Sequence, residues 1–190
     1  MKNRNMSILI ISLVLITLLF AFADFSLSKE MTTSSFKSDK VTAGDIEKDI
    51  GNIDLYIDGS INIDESIRMA IKERLEEKGL KITPINRLED SHGPVLGIYI
   101  DRDEYTYTPV FCKSTLDIII KVSTNGSAQY LKKWTDDNFP AEVKNGEMYY
   151  KCNIIIENES KGIISQKAYD SLMGAEIVKE ICSNLPSELY

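Results

Sequence analysis

The order of apolar and polar positions changes period several times along the chain, and each change predicts an element. From Met6 to Ala23 there is no charge, with only Ser7, Ser12 and Thr17 as weak polar interruptions and with Lys2 and Arg4 ahead of the run. Roughly 18 residues rising about 1.5 Å each make a helix of about 27 Å, close to the roughly 30 Å apolar core of a bilayer. One reading is a retained transmembrane helix that anchors the chain. The other is a signal peptide with a basic start, an apolar core from Ile8 to Phe20, and small residues in Ala21-Phe22-Ala23 that set cleavage near Ala23. Either reading makes the remainder extracytoplasmic, membrane-anchored in the first case and secreted in the second, because basic residues stay on the cytoplasmic side. A buried core helix is a third reading. Lipid anchoring at that site is excluded, since no cysteine stands immediately after the run.

Residues 24–51 are rich in Ser, Thr, Lys and Asp, and Met31, Phe36 and Val41 give no period, so this stretch is expected to be a flexible polar tether. A short helix over 44–50 is a weaker pattern inside it. Ile53, Leu55 and Ile57 then alternate with Asp54, Tyr56 and Asp58, the period of a half-buried strand. A helix follows, with Asn62 as N-cap and Ile63, Ile67, Ala70, Ile71 and Leu75 on one face, stopped at Gly79. Strands are expected over 80–85, 95–107 and 110–123. Asn125-Gly126 is a tight-turn signal that predicts a hairpin return over 127–134. A last strand over 148–157 precedes a helix over 165–185, in which Gly174 would let the backbone approach the sheet. Two apolar-striped helices and a sheet with one apolar face predict an α+β two-layer sandwich. Its sheet is expected to be mostly antiparallel, with about five or six strands and both helices on one face. The expected organisation is thus 1–23 leader or anchor, 24–51 tether and 52–190 a single globular domain.

The net charge of -7 and pI near 4.9 argue against nucleic acid as a partner, and no cluster of Lys and Arg appears. Cys112 and Cys152 share the parity of the apolar residues in their strand-like runs and Cys182 falls on the apolar stripe of the last helix, so all three read as buried thiols, with a Cys112–Cys152 or Cys152–Cys182 disulfide as the alternative. No CxxC pair occurs and His92 is the only histidine, so neither a metal nor a cofactor is expected. Asn125 and Asn158 head N-glycosylation sequons. Asp101, Asp103 and Glu104 lack the spacing of a calcium loop and read as a solvated strand face.

Simple alternation places Tyr105 and Tyr107 opposite Leu96, Ile98 and Ile100, on the face left open by the helices, where with Trp134 they would make a partner-binding patch. Catalytic motifs are missing: no nucleophile elbow or phosphate loop occurs, and Ser114 or Cys112 has no base beside it in sequence. The order of elements is similar to that of small envelope domains such as the LPS-assembly lipoprotein and the N-terminal domain of the TolB family. That is a likeness of layout without a shared motif; the lipidated cysteine of the first and the propeller of the second are missing. The leading expectation is an exported, non-catalytic binding or assembly module that meets another envelope protein through its open sheet face or edge. The alternative is a small extracytoplasmic hydrolase or metal-dependent enzyme using His92 and Asp101. A solute-binding domain would instead need a pocket between helices and sheet.

Overall fold

The computed structural model describes residues 2–44, 50–59, 65–126, 130–132 and 143–189. Three helices, α1 (Lys2–Phe22), α2 (Glu65–Glu77) and α3 (Gln166–Ser183), accompany six strands: β1 (Ser26–Thr42), β2 (Asn52–Gly59), β3 (Lys81–Ile85), β4 (Val95–Thr108), β5 (Phe111–Ser123) and β6 (Met148–Ile164). The strands form one sheet in the order β1-β6-β5-β4-β2-β3. The pairs β1–β6, β6–β5 and β5–β4 are antiparallel, whereas β2 is parallel to both β3 and β4.

The fold is therefore α+β, but the sheet is mixed and not mostly antiparallel, and the described residues form three α-helices in place of two. The parallel part has a plain cause. α2 carries the chain from the end of β2 back to its start, so β3 must leave in the same direction as β2.

The core lies between the sheet and the pair α2 and α3. Ile71 and Leu75 of α2, and Met173, Ile177 and Ile181 of α3, recur at one-turn spacing and are buried against Leu96, Ile98, Ile118, Ile120, Ile154 and Ile156. α2 ends in a Schellman motif: Gly79 at φ 92° donates to the Glu76 carbonyl at 2.9 Å, and Leu80 reaches back to the Leu75 carbonyl at 3.2 Å. Ser165 caps α3 by accepting from the Ala168 amide at 3.1 Å. A Cβ on Gly174 would lie 3.4 Å from Ile67, so this glycine lets α3 approach α2 and not, as expected, the sheet.

Two further expectations fail. Ser26–Thr42 is no tether: it is the edge strand β1, paired with β6 in unbroken register from Ser26 opposite Ile164 to Thr42 opposite Met148. Its polarity misled because an edge strand is held by backbone hydrogen bonds and needs no buried side-chain face. The hairpin return also fails at the residues described. Asn125-Gly126 does turn the chain, but Tyr130 to Lys132 form a turn and bend, and β5 takes β6 as its partner. The apolar alternation of β6 fits the core face of β5 better than the mixed 127–134 segment does. Asn62, most of the candidate helix over 44–50, and the rest of the expected return strand lie outside the described residues.

α1 is the third correction. Among the described residues no helix is long and apolar enough to cross a membrane, so the transmembrane reading is withdrawn. Nor is α1 a core helix: Ile8 to Leu19 are exposed, and its C-terminal end alone meets the domain, where the Phe20 and Phe25 rings lie 5.3 Å apart.

Candidate interaction surface

Among the described residues β1 pairs on one side only. The Phe25 carbonyl accepts from Ser165, and Ala43 both donates to Glu147 and accepts from Gly146, so odd-numbered residues aim their amides and carbonyls at β6. The register between these ends has no bulge, so every even-numbered residue of β1 turns its backbone groups outward. The opposite edge, β3, has five residues and contains Pro84, two devices that blunt an edge. β1 has 17 residues, no proline, and exposed Leu27, Met31 and Phe36.

The two tyrosines of the expected patch lie elsewhere. Arg102 pairs with Leu116 but Glu104 with Thr115, so Asp103 is an extra residue bulged out of β4. The bulge reverses the alternation. Tyr105 and Tyr107 therefore sit opposite Ser114 and Cys112 on the helix side, half-buried, and not on the outer face. Tyr105 donates to the Asp170 carboxylate at 3.3 Å, under the Arg102 guanidinium at 4.3 Å, and Tyr107 donates to the Ile164 carbonyl at 3.0 Å. Burial, with the Asp170 charge second, pushes the Tyr105 hydroxyl up to about 12. Trp134 lies outside the described residues.

Along this end of the helix-facing side a polar row crosses the sheet from Thr32 through Asn158 and Ser114 to Tyr105. Asn158 is 2% exposed and its amide donates to Thr32 at 2.7 Å. A glycan at Asn158 is incompatible with that packing. Asn125 sits in an exposed turn, its side chain bonded to Ser123 and Tyr149. Ser114 Oγ, Tyr169 Oη and Arg102 Nε are buried without a hydrogen bond among the described residues. No sequence signal pointed to this row, because its polar members are scattered over four strands.

The outer face is partly covered. Val95, Tyr130, Leu131 and Tyr149 form a second small core there, and Tyr99 donates to the Leu131 carbonyl. Lys121, 1% exposed, donates to the Lys132 carbonyl at 2.6 Å and so pins the segment down. Where the face is free it carries charge, such as Lys113 against Glu104 at 2.7 Å.

The enzyme alternative loses its geometry. His92 is exposed beside the start of β4, where its backbone amide, not its imidazole, meets Asp54 at 3.4 Å. Asp101 lies about 20 Å farther along β4 than Val95. No group of residues suited to a metal ion occurs among the described residues. All three cysteines are buried and free. Cys112 pairs with Ser160 and Cys152 with Ile120, far apart along the same two strands, which rules out the Cys112–Cys152 bridge. Burial raises all three thiols, so none is activated as a nucleophile. A groove of about 450 Å³ lies between α2 and the ends of β2 and β3, lined by Tyr56, Asp58 and Arg68 among others. It lies at the margin of the sheet, under α2 alone and not under the α2–α3 pair.

No protein-family profile matches the chain, and no curated protein matches it. Among solved structures it is similar to the PelC dodecamer from Paraburkholderia phytofirmans, at 10% identity and a TM-score of 0.42, covering 82% of this chain and 97% of that one. It is also similar to a putative neuraminyllactose-binding hemagglutinin homolog from Helicobacter pylori, at 11% identity and a TM-score of 0.33, covering 78% and 92% respectively. Likenesses this loose carry no argument about what the chain does.

Proposed function

We propose that the chain is an exported, non-catalytic assembly module that joins another protein through the free edge of its sheet. The observation that carries this reading is the asymmetry of the two edges. One is short and proline-blunted; the other presents outward-facing backbone groups along the whole of β1. Edge strands with free backbone groups capture an extended partner by adding a strand. The N-terminal run fits a secretory leader, and cleavage after Ala23 would leave β1, which begins at Ser26, whole.

Two measurements test this. A photo-crosslinking amino acid at Ser34, compared with one at the exposed Glu76 of α2, should give a discrete protein adduct only at Ser34 in cells of the source organism. No adduct, or the same adduct at both positions, would contradict edge docking. N-terminal sequencing of the extracytoplasmic fraction should find a chain starting at Asp24. Recovery of the intact chain from the cytosol would contradict export.

A further inference from the structure

We infer that the occupant of the β1 edge is a second copy of this chain, paired antiparallel with the first across a two-fold axis at Ser34. This rests on the edge-docking reading above and adds to it the identity of the partner. A two-fold axis normal to the sheet keeps the faces of the two sheets aligned, so even residues meet even and odd meet odd.

With Ser34 opposite its own copy, Lys29 falls opposite Asp39, Leu27 opposite Val41, and Met31 opposite the aliphatic stem of Lys37. Symmetry makes each of these pairs twice. All are odd-numbered, so they occupy the closer, non-hydrogen-bonded positions where cross-strand side chains interact most. On the helix side Phe36, 64% exposed, falls opposite Thr32. Leu27 at 79% and Met31 at 62% exposed gain cover in the same step. Lys29 and Asp39 form no ion pair with any of the described residues, so both are available to the mate.

The neighbouring registers fit worse. With the axis at Thr33, Lys29 faces Lys37 twice and Leu27 faces Asp39. With the axis at Ser35, Met31 faces Asp39, and the one opposite-charge pair, Glu30 with Lys40, competes with the bond Lys40 already makes to Glu188. The charges that would discourage random edge pairing thus select one register.

Single-cysteine variants Thr33→Cys, Ser34→Cys and Ser35→Cys, oxidised in cells of the source organism, test this, the three native thiols being buried. Hydrogen-bonded mates stand about 5.5 Å apart, within disulfide reach, whereas residues two positions out of register lie beyond it. Ser34→Cys should give a disulfide dimer at about 10-fold the yield of the other two, a separation that follows from the distance limit. No dimer, equal dimer in all three, or dimer at Ser35→Cys alone overturns the proposal. As a second readout, Ser34→Pro removes an outward amide that β6 does not use. It should halve the particle mass by light scattering with the circular dichroism spectrum unchanged; an unchanged mass overturns self-pairing. A photo-adduct from Ser34 to an unrelated protein, without a Ser34→Cys dimer, refutes the second copy and leaves edge docking standing. Absence of both refutes both.

Discussion

A single inserted residue decides where the aromatic side chains of β4 point. Alternation read from Leu96, Ile98 and Ile100 is correct up to Arg102 and inverted beyond it, because Asp103 bulges. A bulge leaves no mark in the pattern when the residues around it are all polar, as Asp101 to Glu104 are. Deleting Asp103 should force Tyr105 and Tyr107 outward and carry Glu104 and Thr106 inward. We expect a loss of more than about 3 kcal/mol in urea unfolding, since a charge and a hydroxyl would be buried without partners. Cysteine placement, by contrast, was legible from strand parity for Cys112 and Cys152 and from the helical stripe for Cys182: all three thiols are buried.

Their protons give a pH dependence with a definite sign. Burial raises the thiols of Cys112, Cys152 and Cys182 and the hydroxyls of Tyr99, Tyr130 and Tyr169 in the folded state. Folded values above unfolded ones mean that this stability is fully present below the unfolded pKa and lost as pH rises. Unfolding midpoints in urea should therefore fall from about pH 8.5, where unfolded cysteines ionise, and faster above about pH 10, where unfolded tyrosines follow. A midpoint flat to pH 11 would contradict this.

Among the strands and the helices that cover them, those with a buried stripe were legible in the sequence, and β1, which has none, was not. α2 is found where its period, its Gly79 stop and its packed Ile71 and Leu75 place it. β1 was read as a tether because the composition argument weighs side-chain burial and ignores the unpaired edge that β6 would otherwise expose. Its two residue parities do different work, which proline can separate. Ser35→Pro removes an amide directed at β6, leaves a β6 carbonyl unpaired and should cost about 1–3 kcal/mol of stability. Ser34→Pro should cost the isolated domain under about 1 kcal/mol, since its amide faces outward. Equal losses from the two, measured by urea unfolding, would show that the strand does not alternate as described.

For the whole molecule, the sheet is asymmetric. Its parallel margin closes on the short, proline-bearing β3, while its antiparallel margin ends on the 17-residue β1. The candidate enzyme site dissolved at this scale, because His92 lies before the start of β4 and Asp101 in its middle, a separation the linear sequence does not display. The proposed function stays where long-range pairing puts it, on an edge that only the folded register reveals. The most direct measurement is amide hydrogen exchange resolved residue by residue along β1, in dilute and in concentrated protein. Odd-numbered amides from Leu27 to Val41 should be protected in both, and even-numbered ones should exchange rapidly when dilute and slow down on association. Uniformly fast exchange from Ser26 to Thr42 at both concentrations would contradict the strand, and with it the docking edge.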